Sequence, residues 1–441
     1  MSERVLQAYI NGRRVGELQD TNGIWSFTYD VAWAGDEAAY PLSPALPLGS
    51  GPHVDSSSTR AVQWYFDNLL PEEDARTLLA KDARIDAADA FGLLAYYGAE
   101  SAGSLTLLTQ APAASTGATQ ALSDEQLQER IEALPRISLA SRAVKRMSLA
   151  GAQHKLALIY RDGELFEPAG QTPSTHILKP DHADPDYPHT VINEYFTMRL
   201  CRRLRLDAPR VVRRYVPAPV YLVERFDREA AATLDGVSRL HLIDACQVLN
   251  LDRQFKYAEG SIGRLAELAN RCTAPAAAKV RIYSWLVFNV LTGNSDAHLK
   301  NLSFLATRRG IGLAPYYDLV AVGVYESRAF GKNTWPATQL AWPLCGKKTF
   351  QELSRSTLLE AGKELGLGKD VAIRLLNAQT ERIEKAASEV VAGIEAENAQ
   401  LLETRPALAA TFAGELRCLR AVLEVVIRGM VAQLGETAKR E

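Results

Sequence analysis

The sequence has few cysteines and no large excess of either charge. Both features limit the classes of protein to which the chain can belong. Its 441 residues include 5 cysteines, an odd and scattered set without a C-x-x-C pair. Such a set predicts reduced thiols and excludes a disulfide framework or a cysteine-ligated zinc site. The formal net charge is −2 and the sequence pI is about 6.4, so nothing indicates bulk binding of nucleic acid, although a local basic patch remains compatible.

The sequence also lacks a long apolar run. It begins MSERV, without the hydrophobic segment of a signal peptide, and no stretch reaches membrane-spanning length. The best candidate, residues 416–434, carries Arg417, Arg420, Glu424 and Arg428, which indicates an amphipathic helix. With 47% hydrophobic and 23% charged residues, the chain can bury a large core in two or three domains. We therefore expect a soluble, cytoplasmic protein.

The first part of the chain alternates in the manner of short strands. Asn11-Gly12 separates two alternating segments, which is a strong signal for a β-hairpin, and residues 24–29 predict a third strand. Helical spacing follows from about residue 58, and residues 104–108 predict a last short strand. Residues 1–110 therefore predict a small N-terminal α+β subdomain.

The rest of the chain divides where its pattern changes. Residues 111–122 lack periodicity, which predicts a linker. Residues 123–126 (SDEQ) form a capping box that predicts a short helix, residues 155–160 and 164–167 predict a strand pair around a turn, and residues 176–180 predict another strand. One helix and further strands complete residues 123–226, and helical patterns dominate residues 227–441. This order predicts an α+β, bilobal, protein-kinase-like fold. Residues 123–226 would form the N-lobe with a phosphate loop and a hinge, and residues 227–441 an all-helical C-lobe with the catalytic and metal-binding loops.

A polar segment between apolar segments is the strongest chemical signal. Residues 293–301 read GNSDAHLKN, and Asp318 follows at the end of the sequence PYYD. The spacing Asp-x-x-x-x-Asn is typical of protein kinases, in which the Asp accepts the proton of the substrate hydroxyl and the Asn holds Mg²⁺. Hard cations prefer oxygen ligands. We therefore expect Asp296, Asn301 and Asp318 to converge.

The bland alternative is an ordinary turn, because Asn, Ser, Asp and Gly cluster in any turn. The flanking sequence favours a catalytic loop. Residues 282–291 carry no charge and predict a buried helix that leads directly into the polar segment, and residues 302–305 are apolar again. Catalytic groups are commonly held on loops by such a buried scaffold.

Three further segments would complete a phosphoryl-transfer site. Lys179 lies on an apolar strand and Glu194 on the helix that follows, an arrangement that positions nucleotide phosphates in kinases. Residues 148–155 (SLAGAQHK) are rich in small side chains, which let backbone N–H groups approach phosphates. Residues 221–228 (YLVERFDR) pass from an apolar strand to a charged turn and could present their backbone to adenine. Each has a plain alternative: a surface lysine and glutamate, a loop that leads into a strand, and a strand end.

A run of arginines follows the predicted helix, and its members are Arg199, Arg202, Arg203, Arg205, Arg210, Arg213 and Arg214. Most such runs are solvated faces, and contact with a nucleic acid or an acidic partner is the alternative.

Taken together, the motifs of the chain resemble the HipA family of bacterial serine/threonine kinases, the toxins of HipA–HipB type II toxin–antitoxin modules. The segments that carry the resemblance follow the order of the family over essentially the whole chain: 10–18 (INGRRVGEL), 66–71 (FDNLLP), 148–155, 176–179 (HILK), 193–195 (NEY), 223–228 (VERFDR), 293–301 and 316–318 (YYD). The resemblance implies a fold similar to that of phosphoinositide kinases.

The resemblance also implies roles for individual residues. Asp296 would be the catalytic base, Asn301 and Asp318 would hold Mg²⁺, Glu194 would form a structural ion pair, and Ser148 would be autophosphorylated. The residues implied in ATP binding are Ala150, Gly151, Ala152, Gln153, His154, Lys155, Lys179, Glu224, Arg225, Phe226, Gln247, Lys256, Tyr257, His298, Lys300 and Tyr317.

The function implied is that of an ATP- and Mg²⁺-dependent toxin kinase. Its target would be an aminoacyl-tRNA synthetase, with glutamyl-tRNA synthetase expected, and phosphorylation of Ser148 would eject the phosphate loop and switch the enzyme off. A HipB-like dimeric helix-turn-helix antitoxin would be the partner and would bring operator DNA into the complex. The alternatives are a catalytically silent corepressor of that antitoxin and a kinase of a non-protein acceptor.

The sequence departs from the expected patterns at a few positions. His154 stands where the family usually has an acidic residue, and Ala258 breaks a Lys-Tyr-Glu run. Compared with ordinary protein kinases, no Phe-Gly pair follows Asp318, and His298 stands where they often carry Lys.

Overall fold

The computed structural model describes residues 3–111, 117–229 and 237–438. The chain folds into two compact units. The first comprises residues 1–180, 222–255 and 303–314, and the second comprises residues 181–221, 256–302 and 315–441.

The strands are β1 (Glu3–Ile10), β2 (Arg13–Thr21), β3 (Ile24–Tyr29), β4 (His53–Val54), β5 (Leu105–Leu108), β6 (Ala118–Ala121), β7 (Leu156–Arg161), β8 (Glu164–Ala169), β9 (His176–Pro180), β10 (Val211–Tyr215), β11 (Pro219–Glu224), β12 (Arg228–Glu229), β13 (Ser238–Arg239), β14 (His241–Asp244), β15 (Ser303–Thr307), β16 (Gly310–Leu313), β17 (Gln339–Leu344) and β18 (Lys347–Thr349).

The α-helices are α1 (Val31–Ala34), α2 (Ala61–Asp67), α3 (Glu73–Ala83), α4 (Ala90–Tyr97), α5 (Asp124–Glu132), α6 (Thr190–Arg203), α7 (Ala245–Leu249), α8 (Ile262–Arg271), α9 (Pro275–Leu291), α10 (Arg355–Glu364), α11 (Lys369–Thr380), α12 (Ile383–Thr404), α13 (Ala409–Ala421) and α14 (Arg428–Ala438).

The first unit opens with the predicted antiparallel sheet, in the strand order β4-β3-β2-β1-β5. Asn11 and Gly12 form the β1–β2 turn with φ angles of 49° and 79°, the left-handed pair that a two-residue hairpin loop requires. The helices α2 and α4 cover the sheet through aromatic contacts. Trp25 meets Phe91 edge to face at a centroid distance of 5.2 Å, and Phe27 lies 5.5 Å from Phe66. The predicted hairpin, third strand and last strand are confirmed.

A second antiparallel sheet of the first unit contains the order β9-β7-β8-β6. The β7–β8 and β9 predictions are confirmed, and so is the capping box that starts α5 at Ser123. The prediction of a structureless linker at residues 111–122 is wrong for Ala118–Ala121, which form β6 and pair with β8. These residues are exposed and pair with β8 through their backbone, so they need no alternation of apolar and polar side chains. Residues 112–116 of the predicted linker lie outside the described residues.

The second unit contains the buried helix predicted before the polar segment. All of residues 282–291 at the end of α9 are buried. The prediction of an all-helical C-terminal region is wrong, because β17 and β18 form a hairpin around Cys345-Gly346, at φ angles of 46° and 78°. The sequence concealed this hairpin, since proline at position 343 is unusual inside a strand and cysteine is unusual at a positive φ.

The arginine run lies in the second unit. Arg202, Arg203, Arg205 and Arg210 are exposed, as expected of a solvated face, while Arg199, Arg213 and Arg214 are partly buried. Arg199 pairs with Glu397 on α12, and Arg203 pairs with Glu389 on the same helix. The guanidinium of Arg213 lies 3.2 Å from the Glu415 carboxylate on α13. These three pairs link α6 and β10 to the C-terminal helices.

Residues 416–434, which predict one amphipathic helix, lie in α13, a π-helical segment Val422–Ile427 and α14. Within the described ranges, no helix is both long enough and apolar enough to cross a membrane. All five cysteines are free thiols.

The centre of the first unit is a buried carboxylate, Glu100, just after α4. Its side-chain oxygens contact four cations: Lys145 at 2.8 Å, Arg225 at 3.3 Å, Arg228 at 2.8 Å and Arg239 at 3.0 Å. Burial alone would raise the pKa of Glu100, but these cations hold it well below its ordinary value. A carboxylate so buried is tolerated only because it is fully paired.

Removing the charge of Glu100 leaves the surrounding cations buried without their counter-ion. We expect Glu100→Gln to lower the free energy of unfolding by about 3–5 kcal/mol. The matched control is Glu17→Gln, which breaks the partly exposed pair with Arg14 and should change it by less than about 0.5 kcal/mol. Urea unfolding of both variants checks this, and equal losses would contradict the central role of Glu100.

His241 on β14 is a second buried polar group of the first unit. Its Nε2 lies 2.8 Å from the Leu42 carbonyl oxygen, which only accepts, so Nε2 donates. Its Nδ1 lies 3.1 Å from the Ser104 hydroxyl and therefore accepts. Burial lowers the pKa of His241 to about 4, so the imidazole is neutral in the folded protein.

Because the folded protein binds this proton less tightly than the unfolded chain, acid destabilises the fold. As the pH falls from about 6.5 toward 4, the contribution of His241 to the free energy of unfolding should fall by up to about 1.4 kcal/mol per pH unit. His241→Gln keeps a hydrogen-bond donor for the Leu42 carbonyl but does not titrate. The free energy of unfolding of this variant should therefore depend less steeply on pH. Urea titrations at several pH values measure the slopes, and parallel slopes would exclude His241 as their source.

Candidate active site

The phosphate-loop candidate, residues 148–155, is fastened to the turn that joins α2 and α3. The Ser148 hydroxyl donates to the Leu69 carbonyl at 2.8 Å, and the Ser148 N–H donates to the Glu100 carbonyl at 2.7 Å. The Glu72 N–H donates to the Gly151 carbonyl at 3.2 Å. The FDNLLP segment is therefore the support on which this loop rests.

Side chains of the FDNLLP segment make that support rigid. Asn68 donates through Nδ2 to the Leu251 carbonyl at 3.0 Å, and Asp67 accepts from Arg76 and from Arg253 at 3.1 Å. The sequence resemblance pointed to the segment, but its role as a support becomes visible only in the structure.

Within the loop, the Lys155 ammonium donates to the Ala150 carbonyl at 2.6 Å and so closes the loop on itself. Gly151 between them has a φ of 107°, a conformation that favours glycine. Gln153 donates to the Pro180 carbonyl at 3.3 Å, directly after Lys179 on β9. The first unit therefore brings together the loop and the strand of the buried Lys179, as predicted.

Two side chains with expected ATP contacts have structural partners in this unit. The Arg225 guanidinium lies in the Glu100 cluster and also pairs with Asp227, while its N–H donates to the Thr175 carbonyl at 2.9 Å. Gln247 caps α7 by accepting from the Asp244 N–H at 2.9 Å, and it donates to a carbonyl of α2 at 2.9 Å. The expected ATP contacts of both residues stay predictions.

The catalytic-loop candidate, residues 293–301, lies in the second unit at the end of α9. Gly293 has a φ of 63°, and a Cβ there would lie 2.6 Å from Val426 and 2.8 Å from Trp335, so only glycine fits. Asn294 donates to the Asn289 side chain at 2.7 Å and accepts from the Asp296 N–H at 3.1 Å. Sequence reasoning missed Asn289, although an amide inside an apolar helix was an available signal.

Asp296 and Asn301 are joined directly. Asn301 donates through Nδ2 to the Asp296 carbonyl at 2.9 Å, and this bond closes the loop. The same carbonyl accepts from the His298 N–H at 2.8 Å. Because Asn301 uses its nitrogen in this bond, its Oδ1 is left as a candidate metal ligand. This bond joins Asn301 to the main chain of Asp296, and the expected convergence of the Asp296, Asn301 and Asp318 side chains stays a prediction.

Asp318 completes the predicted set in this unit. Its φ of 56° is a left-handed conformation that Asp tolerates better than most residues. Just before it, the Tyr317 hydroxyl donates to the Lys300 carbonyl at 2.5 Å, which ties this segment to the catalytic loop. After it, the Ala321 N–H donates to the side chain of Asn193 at 2.9 Å. Neighbouring Glu194 on α6 is buried, and burial together with the charge of Glu194 raises the pKa of the Tyr221 phenol well above its ordinary value.

The electrostatics of Asp296 suit a proton acceptor. Burial raises its pKa above the ordinary value, and the negative charge of Asp318 raises it further. His298, a hydrogen bond from the Tyr257 hydroxyl and the charge of Lys256 act in the opposite direction. A carboxylate poised in this way is typical of a general base.

The donor set also fits a hard cation. Two carboxylates within electrostatic reach of each other and one amide oxygen provide few ligands, which is typical of Mg²⁺ because phosphate oxygens and water complete its shell. Among the described residues, no group of three or more His, Cys, Asp or Glu side chains could by itself hold a metal ion. The site therefore suits a cation that arrives with a phosphorylated ligand.

Two family models match the chain. Residues 6–108 match the HipA N-terminal domain, and residues 147–397 match the HipA-like C-terminal domain.

Curated relatives agree. The protein "Putative kinase Y4mE" of Sinorhizobium fredii is 35% identical over 406 residues, which cover 89% of this chain and 93% of that protein. The serine/threonine-protein kinase toxin HipA of Shewanella oneidensis is 31% identical over 405 residues, 88% of this chain and 89% of that protein.

A solved structure is similar over its whole length. HipA in the Shewanella oneidensis complex of HipA, HipB and operator DNA matches with a TM-score of 0.79 at 28% identity and covers 99% of this chain and 98% of that one. With both domain models and these relatives in agreement, the chain belongs to the HipA family of serine/threonine-protein kinase toxins.

Proposed function

We propose that this chain transfers the γ-phosphoryl group of ATP to a serine or threonine hydroxyl of a protein, with Mg²⁺ as cofactor, and that it does so as the toxin of a toxin–antitoxin module. The observation that carries the proposal is the closed loop in which Asn301 bonds the Asp296 carbonyl while the buried Asp296 carboxylate lies within electrostatic reach of Asp318. We infer further that the fold is protein-kinase-like.

Asp296 orients the acceptor hydroxyl and accepts its proton as the oxygen bonds to the γ-phosphorus and the bond to the β,γ-bridging oxygen breaks. Lys179 offers a positive charge to the phosphates, and the Ala150–Lys155 loop covers them. Asn301 and Asp318 would hold Mg²⁺, which when bound neutralises charge on the phosphoryl oxygens. Positioning and electrostatics supply most of the catalysis in such transfers.

The toxin role rests on the relatives. The Shewanella oneidensis relative is named a kinase toxin, and the similar solved structure contains HipA with HipB and operator DNA. We extend to this chain a dimeric HipB-like antitoxin, operator DNA within that complex, and an aminoacyl-tRNA synthetase as acceptor, with glutamyl-tRNA synthetase expected. A silent corepressor fits less well, because Lys179, Asp296, Asn301 and Asp318 are all present.

Autophosphorylation of Ser148 is part of the proposal, and the structure supplies its physical consequence. Ser148 is completely buried and its hydroxyl is a donor to Leu69. A phosphoserine has no hydroxyl proton to donate and carries about −1.5 to −2 charge at neutral pH. It cannot remain in this position without a large desolvation cost, so phosphorylation would release the loop from the FDNLLP support.

Asp296→Asn removes the proton acceptor while keeping the side chain nearly isosteric. We expect phosphoryl transfer to fall by about 10²–10⁴-fold with stability changed by less than about 1 kcal/mol. The measurement is incubation with Mg²⁺ and γ-labelled ATP, alone and with a cytosolic extract, followed by mass spectrometry of labelled proteins. The protein must first be shown to be unphosphorylated at Ser148.

The matched control is Asp207→Asn, which breaks an exposed pair with Arg281 in the same unit and should retain activity. Full activity in Asp296→Asn would remove this residue from the mechanism. No transfer and no ATP binding by the unphosphorylated wild type would favour the silent corepressor.

Ser148→Ala should abolish autophosphorylation and cost only about 1 kcal/mol of stability for the lost hydrogen bond to Leu69. After incubation with ATP, trypsin should cleave within residues 142–155 in the wild type and not in the variant, because only the wild type releases the loop. Ser141→Ala alters an exposed serine in the same segment and should behave as the wild type. An unchanged phosphopeptide map in Ser148→Ala would place the modified residue elsewhere.

A further inference from the structure

Tyr257 makes a contact that nucleotide binding does not explain. Its phenol donates a hydrogen bond to Oδ1 of Asp296, the proposed base. The tyrosine is 38% exposed, although its hydroxyl reaches the carboxylate. The side chain of Tyr257 is therefore partly exposed to solvent, while its hydroxyl contacts the proposed base.

The backbone around Tyr257 is held firmly against that loop. The Leu299 N–H donates to the Lys256 carbonyl at 3.1 Å, and the Gly260 N–H donates to the Tyr257 carbonyl at 3.0 Å. The Tyr257 ring also meets the His298 ring edge to face at a centroid distance of 5.0 Å. The main chain is fixed, and only rotation of the side chain is needed to move the phenol off the carboxylate.

The phenol offers Asp296 the same group that an acceptor would offer. In phosphoryl transfer to a protein, the base receives a hydrogen bond from the acceptor hydroxyl, and a general base must lie within hydrogen-bond reach of the proton that it takes. In this structure an O–H donor of the chain itself makes that contact. A serine or threonine hydroxyl that takes the same position on Oδ1 therefore displaces Tyr257.

We propose that Tyr257 is an internal stand-in for the acceptor hydroxyl, a positioning residue that holds Asp296 in the resting protein and gives way when a protein acceptor binds. The inference rests on the proposed function, because it needs Asp296 to be the base. It differs from a role in lining the nucleotide pocket, because its effect falls on the acceptor and not on ATP.

Removal of the phenol separates these two roles. In Tyr257→Phe the acceptor no longer has to break a hydrogen bond, so its KM should fall by about threefold to tenfold. The kcat should stay within about twofold, since the displaced phenol takes no part in the transfer. The KM for ATP should not change, because the inference assigns the phenol to Asp296 in place of the ATP contact that the resemblance implied for Tyr257.

The experiment uses the full chain, Mg²⁺, ATP and a peptide of residues 142–155, in which Ser148 is the only hydroxyl-bearing side chain. The matched control is Tyr195→Phe, which removes a phenol that donates to a different carboxylate, Glu397, in the same unit. Tyr195→Phe should have the kinetic constants of the wild type.

A second measurement does not depend on turnover. In protein with ¹³C-labelled tyrosine, the Tyr257 signal, assigned from its loss in Tyr257→Phe, should differ between the wild type and Asp296→Asn. It should also shift when the peptide and a non-hydrolysable ATP analogue are added together, and not when the analogue is added alone.

Each other outcome overturns the inference in a recognisable way. A Tyr257 signal indifferent to Asp296→Asn means that the contact is absent, whatever the activity. A lower kcat at unchanged KM makes the phenol part of the transfer, a changed KM for ATP makes it a nucleotide contact, and phosphotyrosine at position 257 makes it an acceptor. A wild type that shows the contact but phosphorylates neither itself nor the peptide overturns the proposed function, and with it the stand-in role.

Discussion

The first unit depends on one buried carboxylate. The side chain of Glu100 contacts Lys145, which precedes residues 148–155, and the three arginines at positions 225, 228 and 239, while its carbonyl accepts the N–H of Ser148. A single residue just after α4 thus binds segments that lie between 45 and 139 residues further along the chain. Any rearrangement of the loop on that side must be compatible with a charge cluster that cannot be hydrated without large cost.

In the second unit, residues 293–301 are positioned by hydrogen bonds between amide side chains and main-chain groups. Asn294 accepts from the Asp296 N–H, and Asn301 donates to the Asp296 carbonyl. Amides hold the backbone without adding charge, and Asp318, His298 and Lys256 are among the groups whose charges act on the Asp296 carboxylate. If Asp296 is the base, as we propose, a backbone held in this way keeps its carboxylate preorganised for the reaction.

Local signals in the sequence predicted much of this arrangement. Asn11-Gly12, the Ser123 capping box and the uncharged end of α9 each specify their element through nearby residues, and the elements formed where expected. The Asp-x-x-x-x-Asn spacing pointed to the residues of the loop, although the bond that returns the Asn301 amide to the Asp296 carbonyl became visible only in the structure.

What escaped prediction depends on contacts between distant residues. Glu100 lies in the sequence AYYGAES, and no neighbouring residue indicates that its side chain contacts four cations. The ion pairs of Arg199, Arg203 and Arg213 escaped prediction because their partners, Glu389, Glu397 and Glu415, lie about two hundred residues further on. β6 was missed for the same reason, since an exposed strand paired only by its backbone needs no side-chain pattern.

Two hydroxyl groups of the chain connect these features to control of the proposed reaction. Ser148 donates to the Leu69 carbonyl in the first unit, and Tyr257 donates to Asp296 in the second. The resting protein therefore satisfies both the proposed phosphorylation site and the proposed base with internal hydrogen bonds. Each bond contributes about 1–3 kcal/mol, the larger value applying to the charged carboxylate. A protein acceptor that buries a sizeable surface can supply the free energy to displace Tyr257, whereas water or a small alcohol cannot, so in our proposal the hydrogen bond to Asp296 favours transfer to a protein over hydrolysis of ATP.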